Sequence, residues 1–301
     1  VSRKVWVAGS MGPTSKSLSL SPDSSDAAFR PYDFDDMYNA YHDQAEALIR
    51  GGVDMLLIET CFDALNVKAA LAAISDCGTN VPVMVSVSVG DRSGRTLTGQ
   101  TLEAFYTSIR HYPVMSFGLN CSLGAADLLP LVEDVSRWCC CAVSCYPNAG
   151  LPNELGGYDQ TPAEMAEQVK KMAQSGLLNI VGGCCGTTPE HIRAVADSVK
   201  DIAPRNIPQT QTQILTVSGL EAVTVDRKNS NFINIGERTN VAGSRKFARL
   251  IAEGKYDEGL LIAAKQIEDG ARIIDINMDD AMLDSTREME RFVRYISNDP
   301  A

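Results

Sequence analysis

Two kinds of stretch alternate along this chain. Short continuous apolar runs bounded by glycine, proline or polar clusters alternate with longer stretches whose apolar positions recur at helical spacing. The runs KVWVAG (Lys4–Gly9), VDMLLI (Val53–Ile58), VPVMVSVSV (Val81–Val89), Met115–Cys121, Cys141–Tyr146 and Leu178–Cys185 read as buried strands. Asp33–Arg50 carries Met37, Tyr41, Ala45, Leu48 and Ile49 on one helical face, and Gly51-Gly52 ends it. Asp63–Ser75, Thr101–Arg110, Ala125–Trp138, Thr161–Ser175 and the stretch from Pro189 to about Asp201 read as further helices. Thr161-Pro162 with Glu164 is an N-cap with proline in the first turn. Ser10–Arg30, rich in Ser, Pro and Asp, reads as a long loop.

This β-α-β-α rhythm predicts an α/β fold with a parallel sheet and crossover helices. A helix-glycine-strand junction recurs after Arg50, after Ser175 and after Asp269, which favours a (β/α)8 TIM-type barrel over a doubly wound sheet. Six βα units precede residue 203, where a full barrel has eight. The expectation is an N-terminally incomplete barrel over 1–203 lacking its first two units, since Val1 leads straight into a strand with no signal peptide. Residues 204–231 hold Pro204, Pro208 and a Gln/Thr run, and read as an interdomain linker draped over a surface. The rhythm then restarts, with Phe232–Ile235 and Arg272–Asn277 as strands and Gly243–Glu253, Asp257–Gly270 and Thr286–Ile296 as helices. Residues 232–301 are therefore expected to be the opening βα units of a second TIM-type barrel.

Composition narrows the function classes. Of 301 residues, 45% are hydrophobic and 22% charged, which is ordinary for a globular protein of one large or two ordinary domains. A net charge of −11 without a basic stretch argues against nucleic acid as a partner. No apolar run is long enough to span a bilayer. Nine irregularly spaced cysteines point to metal or core thiols in a reducing, cytoplasmic setting rather than to a disulfide framework.

The chemistry concentrates at Asn179–Pro189, NIVGGCCGTTP, a strand-to-helix corner with Cys184 and Cys185 at its tip. Adjacent cysteines on a regular strand point to opposite faces, but they can share a site once the strand has ended and glycines turn the backbone. Cys121, in FGLNC at another strand tip, is the best third ligand. Three thiolates with an open fourth position form a catalytic zinc site, suited to activating a substrate thiol. Cys61 is the closest competitor. Cys139-Cys140-Cys141 with Cys145 lies between a helix end and a strand start, the stability face of a barrel, and is read as core or surface thiols. Glu59 is either a solvated loop acid or a carboxylate in the barrel mouth that holds a substrate ammonium. His42, His111 and His191 have no partner at metal spacing and read as ordinary residues. Polar groups in Gly236–Asn240 and Asp275–Asp279, at two strand tips, suit a hydrogen-bonding heterocycle.

GLNCSLGA (Gly118–Ala125) and NIVGGCCGTTP resemble the zinc motifs of homocysteine methyltransferase domains. NIGERTNVAGSRKF (Asn234–Phe247) and DINMDDAMLD (Asp275–Asp284) resemble the start of a pterin-binding folate domain. Their order, with YPNAGLPN and SGRTLTGQT between and before the zinc motifs, resembles the cobalamin-dependent methionine synthase family over essentially the whole chain. That resemblance implies zinc on Cys121, Cys184 and Cys185, with the homocysteine sulfur as fourth ligand and Glu59 and Asn120 contacting the amino acid. It implies folate contacts at Gly243, Ser244 and Arg245, with Asp275 and Asn277 lining the pterin pocket. The implied reaction is methyl transfer from 5-methyltetrahydrofolate to homocysteine, carried on methylcobalamin held by a domain of the parent protein absent from this sequence. The family's D-G-x-M-G-type loop, most of its folate barrel and its D-x-H-x-x-G cobalamin motif are missing, so the chain is expected to be an internal fragment with little or no activity alone. The rivals are a stand-alone homocysteine S-methyltransferase using betaine or S-methylmethionine, which would have no folate domain, and a non-catalytic zinc-binding scaffold.

Overall fold

A computed structural model describes residues 4–208, 214–226 and 228–299. The Gln/Thr run of the expected linker, 209–213, lies outside the described residues. The chain divides into two compact units. The first holds residues 4–16, 32–208 and 217–222, and the second holds residues 17–31, 214–216 and 223–299, with 227 outside the description.

The first unit is built on a six-stranded parallel sheet: β1 (Ala8–Met11), β2 (Met55–Cys61), β3 (Val83–Val87), β4 (Val114–Gly124), β5 (Ala142–Asn148) and β6 (Ile180–Val181). The strands pair in sequence order, every neighbour parallel, which is consistent with a TIM-type barrel. Helices α1 (Phe34–Arg50), α2 (Ala64–Asp76), α3 (Leu102–Ile109), α4 (Ala125–Trp138), α5 (Pro162–Gln174) and α6 (Pro189–Val199) follow the six strands in turn. Their starts are written in the sequence. Asp33 and Asp36 close a capping box on α1, and Thr161 and Glu164 do so on α5 with Pro162 at its first position. The core lies between sheet and helices, where Leu56, Ile58, Val85, Phe117 and Val143 meet Tyr41, Val67, Phe105, Leu128 and Met165, all essentially inaccessible.

The boundaries of β1, β4 and β6 depart from the hydrophobic pattern. Val5, Trp6 and Val7 are more than half exposed and precede β1; only the Val7 backbone joins in, accepting from the Asp54 and Met55 amides. An edge run of that kind gains no second sheet neighbour. Leu178–Cys185 shrinks to the two residues of β6, because Gly182-Gly183 offers no side chains to pack in a pleat. β4 instead runs on past Cys121 to Gly124 through an irregularity in its pairing with β5.

Within the expected linker, Leu215–Ser218 (β7) and Ala222–Val225 (β8) form a two-stranded hairpin. Its tip is hydrogen-bonded within the first unit: Leu220 accepts from the Thr101 amide, Gly219 from the Gln100 side chain, and Glu221 pairs with Arg95.

In the second unit β9 (Ile235–Asn240) pairs in parallel with β10 (Ile273–Asn277), with α7 (Arg245–Ala252), α8 (Tyr256–Glu268) and α9 (Ser285–Ser297) around them. The expected strand Phe232–Ile235 is displaced onto the polar GERTN segment. Thr239 there is fully buried with its hydroxyl on the Asp275 carbonyl, while Phe232 is exposed. Phe247 and Phe292 meet edge-on at 5.1 Å in a core with Val241, Ile251, Tyr256 and Met278. Residues 17–31 join this unit through Asp26, which pairs with Arg291 of α9. The two βα steps expected after residue 232 are present.

Candidate metal centre

Cys121, Cys184 and Cys185 come together at the C-terminal ends of β4 and β6. The Cys121 and Cys185 sulfurs lie 3.5 Å apart and those of Cys184 and Cys185 4.0 Å apart, all three within 4.8 Å of one another. Sulfurs sharing one tetrahedral zinc, each about 2.3 Å from it, sit about 3.8 Å from each other. All three cysteines are free, with Cys121 and Cys184 half-buried and Cys185 exposed. The donor set and spacing fit zinc, and no other group of three or more Cys, His, Asp or Glu side chains could hold a metal among the described residues.

Local backbone chemistry builds this cluster. On β4, Cys121 and Ser122 both take left-handed φ (63° and 59°) where the pairing with β5 slips, so the bulge swings Cys121 out of the strand's alternation. On the other side, β6 stops before Gly182-Gly183, and Gly186 turns with φ 76°. The intervening thiols are held by their main chain: the Cys184 amide donates to Pro147 and the Cys185 amide to the Asn148 side chain, and Ala149 donates to the Cys185 carbonyl. The two corner glycines are also spatial requirements. A Cβ on Gly182 would meet the Tyr146 ring at 2.7 Å, and one on Gly186 the Tyr158 ring at 2.3 Å.

Asn120 is the hub behind the thiols. It is buried, its Oδ1 accepts from the Thr60 amide and the Ser86 hydroxyl, and its Nδ2 donates to Thr60 Oγ1 at 2.8 Å and to the Cys184 sulfur at 3.7 Å. Burial pushes the Cys184 thiol up to about 12, while the Asn120 amide works in the opposite direction by favouring the thiolate. Thr60 itself sits at φ 59°, at the irregularity that ends β2. Glu59, half-buried and just before it, accepts from Ser10 at the tip region of β1. The structure thus brings Glu59, Asn120 and the three cysteines to one end of the sheet. Cys61 ends β2 but is not part of the thiol cluster: it is buried, burial pushes its thiol far up, and its sulfur donates to the Glu59 carbonyl.

Residues 1–199 match the family model described as homocysteine S-methyltransferase. The chain belongs to that family. Residues 236–300 match a second model, pterin binding enzyme, so a pterin-binding domain follows the methyltransferase domain. The crystal structure of the homocysteine methyltransferase MmuM from Escherichia coli in its apo form is similar at TM-score 0.51 and 21% identity, a likeness of fold. The match covers 64% of this chain and 63% of that one, so this chain spans less than two thirds of that enzyme's length. The metallated form of the same enzyme gives TM-score 0.49 at 21% identity over 64% of this chain and 61% of that one.

Within the homocysteine S-methyltransferase domain two further residues contact the segment that carries Cys184 and Cys185. Asn148 ends β5 and binds the Cys185 amide. Tyr158, returned by the loop that bridges Pro152 to it, packs on Gly186 with its hydroxyl toward Cys185; partial desolvation and then the neighbouring thiols raise its pKa. Nothing in the periodicity marks Tyr158, because its loop lies between elements; the glycine opposite it was the available signal. His191 has a structural role, its two ring nitrogens bonded to Thr188 and to the Gln160 carbonyl at the start of α6.

The pterin-binding segment is organised by strand tips. Asn240 Oδ1 accepts from the Ala242 and Gly243 amides, Ser244 caps α7, and Arg245 is exposed at its first position. Asp275 and Asn277 alternate on β10 and so share a face, and Asn277 lies opposite Asn240 in register. No helix among the described residues is long and apolar enough to cross a membrane.

Proposed function

We propose that this chain holds zinc on Cys121, Cys184 and Cys185 and presents homocysteine for methylation to methionine, as part of a cobalamin-dependent methionine synthase fed by 5-methyltetrahydrofolate. The convergence of the three thiols at one strand end is the observation that carries this reading. Zinc at such a site supplies a substrate thiolate at neutral pH. The protein side of the chemistry is positioning. Asn120 fixes the Cys184 sulfur, the left-handed backbone at Cys121 aims the thiol from β4, and Glu59 offers a carboxylate for the substrate ammonium. Gly243, Ser244 and Arg245 would meet the folate at the β9–α7 corner, with Asp275 and Asn277 from β10 beside them. The methyl would travel on methylcobalamin held by a cobalamin-binding domain of the parent protein.

The pterin-binding match over residues 236–300 favours this over a stand-alone methyltransferase using betaine or S-methylmethionine. Zinc content and zinc-edge X-ray absorption, with and without homocysteine, test it. The expected result is one zinc with three sulfurs that gains a fourth on adding homocysteine, lost in Cys184→Ser. Zinc retained by Cys184→Ser, or bound zinc that never takes the homocysteine sulfur, would overturn it.

A further inference from the structure

A second thiol group lies at the opposite end of β5 from the zinc ligands. Cys139 and Cys141 flank the junction between α4 and β5, and their sulfurs are 3.5 Å apart. Cys139 is fully buried, while Cys141 is half-buried. The Cys139 sulfur lies in hydrogen-bond contact with both the sulfur and the carbonyl of Cys141, and the Tyr106 hydroxyl accepts from the intervening Cys140 amide. Arg205 completes the group. It is 5% exposed, and its guanidinium donates to the carbonyls of Ser136, Cys139 and Cys141 at 2.6 to 3.2 Å. Among the described residues no carboxylate forms an ion pair with it.

A buried cation that meets only carbonyl dipoles favours an anion nearby. The titratable neighbours in this group are the two thiols and the Tyr106 phenol, of which a thiol is the stronger acid. Contact with Cys139 lowers the Cys141 pKa first of all, burial opposes it, and the Arg205 charge acts with Cys139 to leave the thiol below its ordinary value. Contact with Cys141, and burial, raise the pKa of Cys139. The pair is therefore divided into a half-exposed nucleophile and a buried thiol in contact with it, which is the arrangement of an attacking and a resolving cysteine. Arg205 also lines a groove of about 510 Å³ with Ser136 and Pro204.

We propose that Cys139 and Cys141 form a hydroperoxide-oxidised dithiol pair, distinct from the zinc ligands. The Cys141 thiolate attacks the outer oxygen of a hydroperoxide, the O–O bond breaks, and the alkoxide or hydroxide leaves with a proton. Cys141 is then a sulfenic acid. The Cys139 sulfur attacks it, the S–O bond breaks, and water leaves. Two thiols and one hydroperoxide give one disulfide, one alcohol or water, and one water. Cys140 takes no part: its amide binds the Tyr106 hydroxyl and its sulfur faces the Trp138 carbonyl.

The test uses the full chain, reduced and supplied with zinc, titrated with tert-butyl hydroperoxide and mapped by tandem mass spectrometry after alkylation. The wild-type map is expected to show a disulfide between Cys139 and Cys141 at one equivalent, with Cys61 and Cys145 still thiols. Cys139→Ser is expected to leave a dimedone-reactive sulfenic acid on Cys141. Before oxidation, Cys141 should alkylate on the order of tenfold faster than Cys77, a partly exposed thiol whose pKa burial raises. A wild-type map in which Cys141 remains a thiol while other cysteines oxidise, or in which Cys140 forms the disulfide, would overturn the proposal without recourse to any variant.

Discussion

At the scale of single residues, the site depends on positions that carry no obvious chemistry. Asn120 satisfies the Thr60 amide and the Ser86 hydroxyl from inside the fold. Asn120→Ala leaves those donors buried without an acceptor and is expected to cost about 3 kcal/mol in urea unfolding, with Asn120→Asp milder. Gly186 needs both its left-handed φ of 76° and the space filled by Tyr158. Gly186→Ala is expected to push the Tyr158 ring away and cost more than about 1 kcal/mol, with zinc per chain falling in elemental analysis. Full zinc and unchanged stability in the Gly186→Ala protein would contradict the close packing at this corner. These positions were only partly legible beforehand. The cysteines announced themselves as residue types, whereas Asn120 acts through bonds to residues 34 and 60 positions away.

At the scale of elements, the sheet is held by close backbone approaches as much as by side chains. A Cβ on Gly118 would fall 2.0 Å from the Ser144 carbonyl oxygen on β5. Gly118→Ala is therefore expected to part β4 from β5 and lower stability by about 3 kcal/mol or more, read as a urea midpoint or as insoluble expression. Helix α5 offers a pH test. Glu164 accepts from the Thr161 amide and hydroxyl, and these bonds hold its carboxyl below the usual range. Because the folded value lies below the unfolded one, the stabilisation is present above the unfolded pKa and is lost as pH falls through the folded pKa. Glu164→Gln should then be less stable than wild type at neutral pH and indistinguishable from it in strong acid, as followed by urea unfolding. Helix starts such as this one were readable because a cap and its partner are three residues apart. Strand ends were less so: β6 and β9 are set by pairing partners far along the chain.

At the scale of the whole molecule, two units with separate cores imply separable unfolding. Phe292→Ala removes a fully buried ring from the second core and is expected to cost that unit about 3 to 5 kcal/mol. Zinc per chain should be unchanged, because every thiol of the cluster belongs to the first unit. Calorimetry with parallel metal analysis checks this, and loss of zinc in Phe292→Ala would show that the units are coupled. By itself the sequence determined the alternation of strand and helix, the parallel sheet and which thiols stand at strand ends, because periodicity, caps and residue chemistry are local properties. Only the tertiary structure decided that Cys121 leaves its strand at a bulge, that Glu59 and Asn120 stand at the same strand end as the thiols, and that Arg205 reaches the Cys139–Cys141 turn. Each of these depends on strand register and on contacts between distant segments, and a one-residue change in register reverses which face a side chain occupies.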